Sequence, residues 1–215
     1  MAQLFSPSFG FLLRLGVLAA VLAAVTLVSA WRALTSYRAA PLDALEQPVP
    51  FSHKHHVGDD GIDCRYCHSS VESAAFAGMP PLSTCMSCHS QLFTDQPALA
   101  PLVDAYLARA VLRWQRLYKL PDFAYFNHSI HIAKGIGCAS CHGAVDQMPL
   151  TWRVAPLTMR WCLDCHREPA AHLRPATEIF NLHWQPRDPS ALGARLLSAY
   201  HIDTRRLTDC SVCHR

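Results

Sequence analysis

"FSHKHHVGDDGIDCRYCH", residues 51–68, crowds His53, His55 and His56 ahead of a Cys64–Arg65–Tyr66–Cys67–His68 motif that already ends in a histidine. Such a stretch is either a metal centre needing more ligands than the motif holds, or a solvated polar loop. The cysteines decide between these readings. All ten fall in five copies of C-x-x-C-H: Cys64/Cys67/His68, Cys85/Cys88/His89, Cys138/Cys141/His142, Cys162/Cys165/His166 and Cys210/Cys213/His214. None is left for a disulfide, a catalytic thiol or a lipid anchor. C-x-x-C-H is the pattern of covalent haem c attachment: the thiols bond the porphyrin vinyl groups, and the adjacent histidine becomes the proximal iron ligand. Paired C-x-x-C motifs also build zinc ribbons, but zinc does not require a histidine directly after every second cysteine. Disulfide scaffolding fits worse, because the two cysteines of each motif would be competing partners. The expectation is five covalently bound haem c groups, with His68, His89, His142, His166 and His214 as proximal ligands.

An internal repeat organises the motifs. "FSHKHHVGDDGIDCRYCH" (51–68) aligns with "FNHSIHIAKGIGCASCH" (126–142) when one residue is deleted, sharing F-x-H-x-x-H, an apolar residue, then G-I-x-C-x-x-C-H. The second motif of each half matches in part, "PLSTCMSCH" against "PLTMRWCLDCH". Periodic self-similarity of this kind marks a repeated structural unit. The expected layout is a di-haem unit at 51–90, a connector at 91–125, a second di-haem unit at 126–170, and a segment at 171–215 with the fifth haem. Apolar spacing at Leu99, Leu102, Val103, Tyr106 and Leu107, with Pro121 as a stop, predicts a helix near 98–118. A second helix is expected at about 189–200. Loops rich in Gly, Pro and Ser leave little for an ordinary core, so buried porphyrins are expected to supply the missing apolar area.

Attachment gives each iron one ligand. Of thirteen histidines, the eight outside the motifs are His53, His55, His56, His128, His131, His172, His183 and His201. A single surface histidine needs no explanation, but both units keep histidine at the same two offsets, whereas Ile130 stands opposite His55. The repeat therefore selects His53, His56, His128 and His131 as distal ligands. Three residues apart, the two histidines of a pair reach one side of a helical turn and can serve two neighbouring haems. His172, Met159 and His201 compete for the fifth distal position, with His172 ranked first and Met159 second. A His/Met site has the higher potential, although methionine beside Trp161 is more commonly a core residue. With irons sealed on both faces, the pattern favours electron transfer over catalysis, and no catalytic residue is expected.

Residues 10–31 form the apolar stretch expected to anchor the chain in a membrane, preceded by a short tail at 1–9 and followed by a tether at 32–50. The uncharged run Leu15–Trp31 is at the short end of what a span of ~20 residues requires, and Phe9–Leu13 extends it past Arg14. It is long for a signal-peptide core, and the sequence starts at Met1, so an uncleaved anchor is expected despite a passable cleavage site at Val28–Ala30. Arg14, Arg32 and Arg38 flank the run on both sides and set no orientation. Covalent haem c attachment in bacteria takes place outside the cytoplasmic membrane, which puts the haem-bearing part in the periplasm and the N-terminus in the cytoplasm. The formal charge of +3, from 19 basic and 16 acidic residues, contains no basic run that would mark a nucleic-acid partner.

Taken with the single N-terminal span, the stretches "PFSHKHHVGDDGIDCRYCHSSVE", "AGMPPLSTCMSCHS", "LPDFAYFNHSIHIAKGIGCASCHG", "LTMRWCLDCHREP" and "LTDCSVCHR" resemble the pentahaem cytochrome c subunit of alternative complex III, and the likeness runs through nearly the whole chain. The paired F-x-H-x-x-H ligands also resemble those of the small cytochromes c3 and c7. The resemblance implies a mostly α-helical and irregular multihaem fold of di-haem repeats with one transmembrane helix. It implies a bacterial membrane complex that oxidises quinol and feeds a periplasmic cytochrome c or terminal oxidase. The implied partners are an iron–sulfur subunit related to the molybdopterin family, quinol-binding membrane subunits and a mono-haem cytochrome c. This subunit would then be a haem wire. A stand-alone tetrahaem quinol dehydrogenase is the rival, against which the fifth motif and the long 91–125 insert count. Denaturing mass spectrometry should find the mature chain carrying five haem masses; zinc, or fewer haems after full maturation, would contradict the motif reading.

Overall fold

The computed structural model describes residues 7–36 and 44–214. Most of the expected tail at 1–9 and the middle of the expected tether at 32–50 lie outside the described residues. The chain divides into two units, Met1–Ala40 and Pro41–Arg215. The first is built on a single helix, α1 (Pro7–Ser36). Within it Ser8–Arg32 is 25 residues long with mean hydropathy 2.4. At ~1.5 Å per residue that length exceeds a hydrocarbon core of roughly 30 Å, so it meets the requirements of a membrane anchor; an N-terminal signal meets them too.

The second unit is a succession of short helices and loops: α2 (Cys64–Cys67), α3 (Leu82–His89), α4 (Ala100–Leu107), α5 (His128–Ala133), α6 (Ala139–His142), α7 (Met159–Arg167), α8 (Pro189–Ala199) and α9 (Cys210–Cys213). Among the described residues there is no strand, and pairing is limited to isolated bridges, Ala124 with His214 and Ile136 with Leu173. Local chemistry starts the helices: the Asp63, Asn127, Thr158 and Asp188 side chains accept the orphan backbone N–H groups at the starts of α2, α5, α7 and α8. The helix expected at 189–200 is present as α8.

Each C-x-x-C-H motif lies on a helical turn, which sets its two thiols and imidazole close together. The F-x-H-x-x-H segments are helical turns too, but of different kinds. In the second repeat His128 and His131 lie on α5, whereas in the first His53 precedes and His56 lies in a π-helical turn, Lys54–Asp59. The one-residue difference between the repeats explains this. Four residues separate His56 from Gly61 and three separate His131 from Gly135, so the first repeat absorbs its extra residue by widening the turn. The backbone shows the shift directly: Ile62 N–H donates to His56 O, while its counterpart Ile136 donates to His131 O.

The helix expected near 98–118 is much shorter. A 3₁₀ turn, Pro97–Leu99, leads into α4, which ends at Leu107. Arg109 takes the left-handed conformation (φ 52°), Arg109 N–H donates to Tyr106 O, and Ala110 N–H donates to Ala105 O. That is a Schellman stop made without glycine. The chain beyond is non-helical and is gripped by Gln47, whose amide donates to Gln115 O (3.0 Å) and accepts from Gln115 N–H (2.8 Å). Apolar spacing continues past the stop, and this tertiary grip overrides it.

The described apolar side chains that are buried are small in number and scattered: Val49, Val71, Leu102, Met148, Ala155, Leu173, Ile179 and Leu196, with no large side chain wholly enclosed. One junction between the repeats is a tight approach. Gly58 in the π-helical turn lies against the 3₁₀ turn Val145–Gln147, and a Cβ at Gly58 would run into the Asp146 carbonyl. Lys54 N–H donates to Met148 O at the same junction. Gly58→Ala should force this junction apart and lower stability by about 1–3 kcal/mol, measured as a lower unfolding midpoint of the mature protein; an unchanged midpoint would show that the contact carries no strain.

Candidate haem sites

Three of the four repeat-selected histidines come ring to ring with a motif histidine. His56 and His89 have centroids 6.0 Å apart, His128 and His142 6.4 Å, and His131 and His166 6.2 Å. Two imidazoles bonded to one iron at ~2 Å each would hold their centroids about 6.3 Å apart. The fourth, His53, feels the charge of His68 most strongly among its neighbours. The donors meet in twos: among the described residues no three His, Cys, Asp or Glu side chains converge. A tetrahedral zinc site needs four such ligands, whereas a haem brings four nitrogens of its own and asks the protein for two. The residues present fit haem.

The hydrogen bonds prepare these rings for an iron. His56 Nδ1 donates to Ser52 O (2.9 Å), His68 to Gly78 O (2.8 Å), His89 to Leu92 O (3.2 Å), His128 to Ala75 O (2.9 Å) and His131 to Asn127 O (2.7 Å). His166 Nδ1 donates to Leu207 O (2.8 Å) and His214 Nδ1 to Phe123 O (3.0 Å). A carbonyl oxygen can only accept, so the proton sits on Nδ1 and the Nε2 lone pair is left for a metal. His53 Nδ1 meets the Thr151 hydroxyl at 2.7 Å. His142 is held instead by the edge of Tyr118 (4.5 Å), whose hydroxyl donates to Cys141 O and accepts from Val154 N–H.

Burial reinforces that preparation. It pushes His53 and His142 down to about 4, helped by the charge of His68 and His56 on the first and of His128, His68 and His53 on the second. Burial also lowers His131. These imidazoles are therefore neutral, and able to ligate, at physiological pH. The ten thiols are unpaired. Burial raises Cys138 to about 11 and Cys141 to about 12.

The phenylalanine of F-x-H-x-x-H carries a role that the sequence pattern alone did not assign. Phe51 stacks on His56 (4.5 Å, 23°) and meets His53 edge-on (4.9 Å, 87°); Phe126 does the same to His131 (4.4 Å, 26°) and His128 (4.8 Å, 90°). One aromatic thus orients both histidines of each pair. Thr151 and Tyr118 were also missed; both lie outside the repeated segments, so nothing in the pattern singles them out.

The remaining histidines are engaged elsewhere or face solvent. His55 lies between Asp59 and Asp60 (4.0 and 3.6 Å), and His183 Nε2 binds the buried Asp146 at 2.6 Å. His172, at the end of the 3₁₀ turn Pro169–His172, is exposed, as are His201 (φ 50°) and Met159, 65% exposed at the start of α7. The ring stacked near His214 is that of Phe123 (6.0 Å, 29°).

Residues 124–215 match the family described as cytochrome c7 and related cytochrome c. The chain is also similar to the multihaem cytochrome c subunit of menaquinone reductase from Nitratidesulfovibrio vulgaris (strain Hildenborough), 29% identical over 170 residues, 79% of this chain and 68% of that protein. Both likenesses are to c-type cytochromes, a class that binds haem c covalently and transfers electrons. The C-terminal part of the chain is a cytochrome c7-like domain.

The geometry separates two histidine substitutions. His128→Ala should leave one iron high-spin or five-coordinate in the electronic and magnetic spectra, whereas His55→Ala should leave every iron low-spin. Loss of a low-spin signal on replacing His55 would contradict the assignment.

Proposed function

We propose that the chain is a membrane-anchored pentahaem relay, carrying electrons within a quinol-oxidising complex of the alternative complex III type towards a periplasmic cytochrome c or terminal oxidase. The observation that carries this reading is the facing of His56 with His89, His128 with His142 and His131 with His166, with ring centroids about 6 Å apart, which would give an iron two protein ligands and leave no position for a substrate. In this reading Cys64, Cys67, Cys85, Cys88, Cys138, Cys141, Cys162, Cys165, Cys210 and Cys213 form the thioethers. The motif histidines are proximal, and His53, His56, His128 and His131 are distal to His68, His89, His142 and His166. His172 or Met159 completes the site of His214. Haem c, when bound, supplies one-electron chemistry; the chain's own residues hold its orientation and exclude water.

The similarity to a subunit of menaquinone reductase supports a quinone-linked complex as the setting, with an iron–sulfur subunit, quinol-binding membrane subunits and a mono-haem cytochrome c as partners. Helix α1 would anchor the chain, with the haem-bearing part in the periplasm. A stand-alone quinol dehydrogenase that feeds a periplasmic reductase is the second reading, favoured by the same paired-histidine sites on a chain with its own span. In the intact, detergent-solubilised complex, added quinol should reduce these haems, while the purified subunit given the same quinol should stay largely oxidised and, once reduced, should react slowly with carbon monoxide. Rapid reduction of the isolated subunit by quinol would favour the stand-alone enzyme.

A further inference from the structure

The order of the five sites in space can be read from which residues support which histidine. Number the sites by motif, from site 1 (Cys64–His68) to site 5 (Cys210–His214). Sites 1 and 2 share the Phe51-supported turn, since the reading above assigns His53 to His68 and His56 faces His89; Tyr66 of motif 1 also meets Ser87 of motif 2 through their hydroxyls at 2.8 Å. Sites 3 and 4 share α5 in the same way.

The junction between these pairs is reciprocal. The distal histidine of site 1, His53, is held by Thr151, in the segment that follows motif 3. The distal histidine of site 3, His128, is held by Ala75 O, in the segment that follows motif 1, and Ser129 N–H donates to Ala74 O beside it. Motifs 1 and 3 also grip one common segment: Cys138 N–H donates to Ile179 O, and the Arg65 guanidinium stacks over Phe180 at 4.5 Å. The distal histidines of sites 2 and 4, in contrast, bond only within their own turns, to Ser52 O and Asn127 O. Site 5 adjoins site 4, because His166 Nδ1 donates to Leu207 O, three residues before Cys210. The last motif is closed onto the end of the connector, just before the second di-haem unit, by Tyr125 N–H to Cys213 O (2.6 Å) and His214 Nδ1 to Phe123 O.

We propose that the two di-haem units meet head to head through sites 1 and 3, so that the five sites run in the order 2–1–3–4–5 and not in sequence order. The inference rests on the five-haem reading above. Its consequence is that site 2, the second in sequence, is one end of the array and site 5 the other. Donor and acceptor partners must therefore be sought beside His89 with its exposed neighbours Leu92 and Phe93, and beside His214 with exposed Phe123.

The test is the set of iron positions in the native chain, from electron cryo-microscopy of the solubilised complex, each iron assigned by the cysteines that hold its porphyrin. The iron on Cys64/Cys67 should lie closer to that on Cys138/Cys141 than does the iron on Cys85/Cys88. An iron on Cys85/Cys88 lying nearest to site 3 would overturn the order while leaving five haems in place. Haem missing from any motif of the mature chain would overturn the five-haem reading, and the order with it.

Discussion

Two imidazoles facing each other across about 6 Å are the constraint on which the rest of this molecule depends. Each pair joins segments far apart in sequence, such as His56 with His89 and His131 with His166. Few apolar side chains are buried to do that joining, and the helices are a turn or two long in most places. Isolated helices of this length are unstable in water. A covalently attached porphyrin offers a large flat apolar surface and two strong axial bonds, so it can serve as both core and cross-link. Secondary structure is then free to be sparse.

The same constraint explains the second layer of contacts. An imidazole that must ligate through Nε2 has to keep its proton on Nδ1, and carbonyl oxygens provide for that at seven of the histidines. These oxygens belong to backbone outside the helices, so a loop supports each of these imidazoles. Phe51 and Phe126 complete the support by fixing ring planes.

Much of this was legible in the sequence, for specific reasons. C-x-x-C-H is a chemical requirement, so it reads without structural context. The repeat distinguished His53, His56, His128 and His131 from His55, and the structure sets His55 against Asp59 and Asp60. The helix expected at about 189–200 is present as α8, with the Asp188 side chain capping its start. The connector helix was overestimated because a left-handed Arg109 and the Gln47 grip on Gln115 are invisible to periodicity. Thr151, Tyr118 and the head-to-head junction arise from contacts between segments about 20 to 100 residues apart, and no local pattern encodes them.

The measurement that bears most directly on the account is the quantified low-temperature electron paramagnetic resonance spectrum of the purified, fully oxidised chain. Three facing histidine pairs, with His53 assigned to His68 as the fourth, predict low-spin ferric signals from bis-imidazole irons integrating to at least four per chain, with at most one iron of a different type. A spectrum dominated by high-spin iron, or one in which fewer than four irons are low-spin, would contradict the claim that paired imidazoles hold this fold together.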